Sequence, residues 1–191
     1  MTHEDASTSA ARPAERRGLP PWAIVAAFAV LLAFLGLIWW GLRRAQQGPI
    51  IIGQHVPPFT MITFDGQSYN TADYTGKVVL VNFWASWCKP CEQEAAELEA
   101  VWKLYEPGGE VLFFGLDYVD TEPEARRYLE KFGITYPNGP DLRTEVSQMF
   151  RIRGVPETYV IDRQGNLAHV KIGPYTSQGE IIAALEEVLA Q

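Results

Sequence analysis

The sequence predicts an α/β domain carried behind one membrane-spanning helix, and three observations predict it. Residues 22 to 42 contain no charge. Strand-like and helix-like segments alternate from about Ile50 to Gln191. Two cysteines three apart stand between one of those strands and the helix after it. The 191 residues carry 16 Lys and Arg against 23 Asp and Glu, a formal charge of −7, the wrong sign for neutralising phosphates. Nucleic-acid binding is therefore excluded as a working assumption. A hydrophobic content of 47% with 20% charged residues excludes a low-complexity chain. Two cysteines exclude a disulfide-stapled scaffold and a four-cysteine zinc site.

Residues 1–19, rich in Ala, Ser, Arg and Pro, read as a disordered tail. Residues 20–43 read as a transmembrane anchor. Trp22 to Leu42 is apolar throughout, and about 31 Å of helix matches a hydrocarbon core of roughly 30 Å. Trp22, Trp39 and Trp40 suit the two interfaces. A cleaved signal peptide would have a shorter run and a small-residue cleavage site, whereas Arg43-Arg44-Ala45 follows here. Arg12, Arg16 and Arg17 before the helix against Arg43 and Arg44 after it place the N-terminus inside the cell by a narrow margin. Residues 44–56 read as a linker and 57–191 as the domain. Without the five Arg and three acidic residues before position 45, the downstream part keeps 11 basic and 20 acidic residues, a charge of −9, unsuited to lying on an anionic membrane.

Within the domain, Phe59–Phe64 reads as a short strand ending in an Asp65-Gly66 turn. Lys77–Trp84 is a nearly unbroken apolar run, typical of a strand buried on both faces. From Cys91 to Tyr105, Ala95, Leu98, Val101, Trp102 and Tyr105 share one helical face. Pro107-Gly108-Gly109 ends that helix, and Val111–Leu116 is a second central strand. Glu122–Phe132 is an amphipathic helix closed by Gly133, and a further helical stretch covers about Leu142–Phe150. Thr158–Asp162 and Leu167–Ile172 form a hairpin, and Ser177–Leu189 is a terminal helix with Ser177 and Glu180 as its capping box.

The chemistry centres on Trp87-Cys88-Lys89-Pro90-Cys91. A thiol at a helix N-terminus meets unpaired N–H donors and the positive dipole end, which favour thiolate. Lys89 adds a cation. Cys88 is thus the expected nucleophile, exposed at the tip, and Cys91, one turn further in, the shielded resolving thiol. A purely structural disulfide explains the spacing poorly, since closing so short a loop contributes only about 2 kcal/mol. A metal site lacks further ligands: the histidines are His3, His55 and His169, and only the last two fall in the domain.

Val81-Asn82-Phe83-Trp84-Ala85-Ser86-Trp87-Cys88-Lys89-Pro90-Cys91, with Gly154-Val155-Pro156-Glu157-Thr158 downstream, resembles the membrane-tethered thioredoxin-like thiol–disulfide oxidoreductases of the ResA/TlpA/CcmG (DsbE) group, over roughly residues 50 to 190. The resemblance implies a thioredoxin fold with an N-terminal strand extension and a central helical insertion, preceded by one transmembrane helix. It implies that Pro156 is a cis-proline lying against the cysteines, and that Glu94 is the proton donor or acceptor. Glu94 lies three residues beyond Cys91 on the same helix face, bordering the apolar stripe, where desolvation raises a carboxyl pKa. Cytosolic thioredoxins carry a buried aspartate six residues before the first cysteine; here that place holds Asn82, which cannot exchange a proton. Trp87, Val155 and Glu157 are the expected substrate-contacting residues, Glu157 adding negative charge near the thiols. Trp84 and Trp87 each suit either core or contact surface.

No cofactor beyond the Cys88–Cys91 pair and no metal is expected. The implied partners are apocytochrome c before haem attachment and a membrane thiol-electron donor, met on the extracytoplasmic side. Lys89 departs from the family's common Glu, Pro or Val and bears on the reduction potential. The rival readings are a reductant for copper-centre assembly in an oxidase and a Cu(I)-binding module using both thiols. Copper chaperones of the related assembly type have three residues between their cysteines, and the Pro-x-x-x-Thr-x-x-Cys loop of peroxiredoxins is absent.

Overall fold

A computed structural model of the chain describes residues 21–45 and 50–191, which fall into two compact units. The expected tail at 1–19 and residues 46–49 of the expected linker lie outside the described residues. In the first unit, helix α1 runs from Pro21 to Ala45. Its stretch Pro21–Leu42, of mean hydropathy 2.5, is long and apolar enough to cross a membrane by length and composition. Phe28 and Phe34, on different sides of it, are both exposed, as in a helix with no single core-facing stripe.

The second unit is built on a five-stranded sheet. Its strands are β3 (Val78–Trp84), β4 (Val111–Asp117), β5 (Asn138–Pro140), β6 (Glu157–Ile161) and β7 (Leu167–Ile172), in the order β5-β4-β3-β6-β7. β4 runs parallel to both β3 and β5; β6 runs antiparallel to both β3 and β7. Before the sheet stands a hairpin of β1 (Thr60–Ile62) and β2 (Ser68–Asn70). The helices are α2 (Lys89–Tyr105), α3 (Glu122–Phe132), α4 (Glu145–Phe150) and α5 (Gln178–Leu189). The hairpin is the strand extension, and α3 lies in the expected insertion between the central strands and the C-terminal β-β-α.

Every residue of β3 is buried because both faces of the sheet are covered. Val78 and Leu80 meet Leu98, Val101, Trp102, Ile181 and Leu185 of α2 and α5. Val79, Val81 and Phe83, on the alternate positions, meet Phe59, Met61, Val146 and Phe150. Each such side chain stabilises the fold by about 1.5–3 kcal/mol relative to leaving it in water. This two-sided burial holds the C-terminal end of β3, and the turn beyond it, in fixed register.

The structure differs from the sequence expectation in four places. The domain begins earlier than residue 57: Gly53 N–H donates to Leu167 O at 2.7 Å, Val56 N–H to Gly165 O at 2.9 Å, and Val56 is buried. Residues 50–56 are therefore part of the domain rather than linker. Helix α2 begins at Lys89, not Cys91, because Cys88 caps it and Pro90 fits the second helical position. The stretch 142–150 is broken: Arg143 and Thr144 have positive φ (58° and 55°), and α4 starts only at Glu145, where Asp141 accepts from Val146 and Ser147 N–H at 2.9 and 2.8 Å. Strands β2 and β5 go beyond the expected set.

Candidate active site

The site is assembled where β3 hands over to α2. Trp84 ends the strand with its indole N–H donating to Asn138 Oδ1 at 2.8 Å and its ring stacked on Tyr128, centroids 4.5 Å apart. The chain then turns through Ala85–Cys88, with Cys88 N–H donating to Ala85 O at 3.1 Å. Cys88 is extended (φ −85°, ψ 102°) and caps α2, its Sγ accepting from Cys91 N–H at 3.1 Å. Ser or Asp ordinarily takes this place, because an electronegative side-chain atom satisfies an otherwise unpaired N–H. A sulfur there receives the same donor and lies at the positive end of the helix dipole.

Cys88 and Cys91 are joined in a disulfide, with Cα atoms 5.3 Å apart. Cys91 is wholly buried, as expected of the resolving thiol. Cys88 is only 3% exposed, which corrects the expectation of an open tip. Trp84, Ala85 and Ala95 surround the pair, Val155 packs against it, and Cys88 Sγ lies 3.5 Å from the Val155 carbonyl oxygen. What access exists belongs to Cys88.

The Val155-Pro156 peptide bond is cis and Pro156 is buried, with Val155 half-buried beside the disulfide. Trp87, next to Cys88, is 58% exposed and keeps its indole N–H on Val119 O at 3.1 Å. Trp84 is core and Trp87 is surface. Glu157 is not placed to meet a partner: it is 2% exposed and accepts from Arg153 N–H at 2.8 Å and Tyr159 O–H at 2.5 Å. In β6 its neighbour Thr158 points to Asn82 and Glu94, so Glu157 faces the opposite side of the sheet. Lys89 forms an ion pair with Glu92 at 2.9 Å, and Lys131 meets the same carboxylate at 3.3 Å. The cation expected to favour the Cys88 thiolate is thus largely answered by Glu92.

Glu94 is deeper than a border position, at 1% exposure. Its Oε1 accepts from Asn82 Nδ2 at 2.8 Å and its Oε2 from Tyr175 N–H at 2.9 Å. Asn82 also donates to Thr158 Oγ1 at 2.9 Å. Burial pushes the Glu94 carboxyl up to about 7, while the Tyr175 and Asn82 hydrogen bonds and the Lys171 charge oppose the rise. One turn from Cys91, the protein therefore holds a carboxyl that takes or releases a proton near neutrality. Sequence reasoning found Glu94 and noted Asn82 but missed Thr158 and the Tyr175 amide; the latter is 81 positions away and acts through backbone, which no motif marks. Among the described residues, no group of three or more His, Cys, Asp or Glu is placed to hold a metal.

The family model described as AhpC/TSA matches residues 52–170. The thiol-disulfide oxidoreductase ResA of Geobacillus thermodenitrificans is 28% identical over 149 residues, covering 78% of this chain and 85% of the relative. The thioredoxin-like protein YneN of Bacillus subtilis is 28% identical over 153 residues, covering 78% and 89%. Among solved structures, a thiol:disulfide interchange protein of the thioredoxin family from Chlorobium tepidum superposes with a TM-score of 0.62 at 27% identity, covering 75% of this chain and 99% of that one. The family model reaches from before β1 into β7.

Proposed function

The chain belongs to the AhpC/TSA family and is a thiol–disulfide oxidoreductase, and from that premise we propose that it is a membrane-anchored extracytoplasmic reductant of protein disulfides, with apocytochrome c as substrate. The observation that carries the reading is the Cys88–Cys91 pair on the cap of α2, one turn from a buried carboxyl poised near neutrality. In the reduced enzyme the Cys88 thiolate attacks one sulfur of the partner disulfide. A Cys88–partner disulfide forms, and the partner's other sulfur leaves as thiolate and takes up a proton. Glu94 accepts the proton of Cys91, whose thiolate attacks Cys88 Sγ and releases the second partner thiol. Two electrons have passed to the partner, and Cys88–Cys91 is oxidised. A membrane dithiol donor restores the pair by the same exchange in reverse.

The Val155 carbonyl, exposed Trp87 and half-buried Val155 border Cys88 and are the surfaces we assign to an extended partner segment. The apocytochrome assignment rests on the resemblance to the ResA/TlpA/CcmG group, and the outward orientation on the arginine count around α1. Replacing Cys91→Ser in the full chain leaves the mixed disulfide unresolved. The expected result is a covalent adduct between Cys88 and an apocytochrome cysteine that is absent from the C88S variant. A reduction potential near about −120 mV, that of a strong periplasmic oxidant, overturns the reductant role.

A further inference from the structure

We propose that Asp120, backed by Asp117, is a positioning residue for the nucleophile: its carboxylate fixes the turn that delivers Cys88 to the start of α2. This rests on Cys88 being the attacking cysteine, as above. Three hydrogen bonds tie the segment after β4 to the end of β3 and the turn that follows it. Tyr118 N–H donates to Trp84 O at 2.8 Å, Ser86 N–H to Asp120 Oδ2 at 2.7 Å, and Trp87 Nε1–H to Val119 O at 3.1 Å. The Ser86 bond joins a side-chain carboxylate to the backbone of the Ala85–Cys88 turn. Removing a charged acceptor from a backbone donor loses more than removing a neutral one.

Asp120 is itself held. Its Oδ1 accepts from Thr121 N–H at 2.7 Å, immediately before α3, so the carboxylate bridges the entrances of two helices. Val119 has a positive φ of 49°, an unfavourable conformation for a β-branched residue, and this reversal turns its carbonyl toward Trp87. Behind them, Asp117 is 3% exposed and its Oδ1 has no donor. Around Asp117 stand Trp84 of β3, Pro140 of β5 and Asp120. Of these only Asp120 is ionisable. Burial, reinforced by the charge of Asp120, pushes the Asp117 carboxyl up to about 8. A neutral Asp117 leaves the Asp120 carboxylate free to hold the Ser86 N–H. When Asp117 ionises, two like charges face each other and the hold on the turn loosens.

The test is the pH profile of iodoacetamide alkylation at Cys88 in the reduced full chain in detergent, with the labelled cysteine identified by mass spectrometry. Asp120→Ala is expected to slow alkylation at pH 7 roughly tenfold by removing the acceptor. Asp120→Asn, whose amide oxygen still accepts from Ser86, is expected to stay within about threefold of the unaltered protein. Asp120→Asn removes the charge that reinforces the rise of Asp117, so the second step of the profile, near pH 8 in the unaltered protein, moves to lower pH. Equal profiles for Asp120→Ala and the unaltered protein overturn the proposal, as does an Asp120→Asn rate as low as that of Asp120→Ala. If Asp120→Ala does not fold, the Asp120→Asn step decides alone, and an unmoved step overturns it. Label on Cys91 instead of Cys88 in the unaltered protein is a failure of the functional reading, distinguishable from failure of this one.

Discussion

At the scale of the residue, Glu94 bears on stability as well as on the proposed proton transfer. Its carboxyl sits near 7 in the folded chain against about 4.5 when solvated, so folding favours the protonated form. A raised carboxyl contributes relative stability that is fully present below 4.5 and lost as pH rises through 7, a loss on the order of 3 kcal/mol. Glu94→Gln abolishes that titration, but it sets an amide N–H against either Asn82 Nδ2 or Tyr175 N–H, at about 1 kcal/mol. The variant is therefore expected to be less stable than the unaltered protein at pH 4, by less than about 1 kcal/mol, and more stable, by roughly 2 kcal/mol, at pH 8. Urea unfolding of the oxidised chains at the two pH values checks the crossing; parallel curves refute it. Asp117, also raised, is present in both chains and cancels. The same variant is expected to slow disulfide reduction on the order of 10²-fold at pH 7 while leaving Cys88 alkylation unchanged, since the proton handled is that of Cys91.

At the scale of the element, the parts of the fold legible in the sequence are those whose side chains alternate or repeat strongly. β3 and α3 lie within a residue of expectation because an unbroken apolar run and a capped amphipathic face leave little choice. β5 was illegible because Asn138-Gly139-Pro140 has the composition of a turn, yet it forms a short edge strand, where proline is tolerated. Its glycine is dictated by tertiary contact: a Cβ on Gly139 would lie 2.1 Å from the Ile62 carbonyl oxygen of β1. Gly115 of β4 is similar, since its Cβ would meet Asn138 Oδ1 at 1.7 Å, where that oxygen accepts from Trp84. The site divides in the same way. Cys88, Cys91 and Glu94 were readable from helix spacing, while the burial of Cys88 and of Glu157 depends on strands far away in sequence. Gly139→Ala is expected to destabilise by about 2 kcal/mol or more, because the obstructing atom is backbone and the hairpin must move. Gly115→Ala is expected to destabilise similarly and, by displacing Asn138 from Trp84, to lower Cys88 alkylation as well. Urea midpoints and alkylation rates of the two variants together test this; Gly139→Ala is expected to change only the first.

At the scale of the whole molecule, a catalytic unit and an apolar helix joined by four residues, 46–49, make the proposed membrane tether a kinetic device. The unit's charge of −9 gives it no attraction to anionic lipid, so α1 is what would keep its dithiol near a membrane donor. A short tether converts encounter with that donor into a nearly intramolecular event at an effective concentration on the order of mM. The geometry of Cys88, Cys91 and Glu94 lies entirely within the second unit, so release should leave the chemistry intact. A protease site placed within residues 46–49 of the full chain, cleaved after reconstitution with the membrane donor, provides the measurement. Cleavage is expected to leave the reduction potential unchanged, and at micromolar protein to slow re-reduction by the donor on the order of 10²-fold or more. With the domain on the extracytoplasmic side, as proposed, protease added outside sealed inverted vesicles should fail to cut, and outside right-side-out vesicles should cut. An unchanged re-reduction rate after complete cleavage refutes the tether's role, and the opposite vesicle pattern reverses the orientation without touching the thiol chemistry.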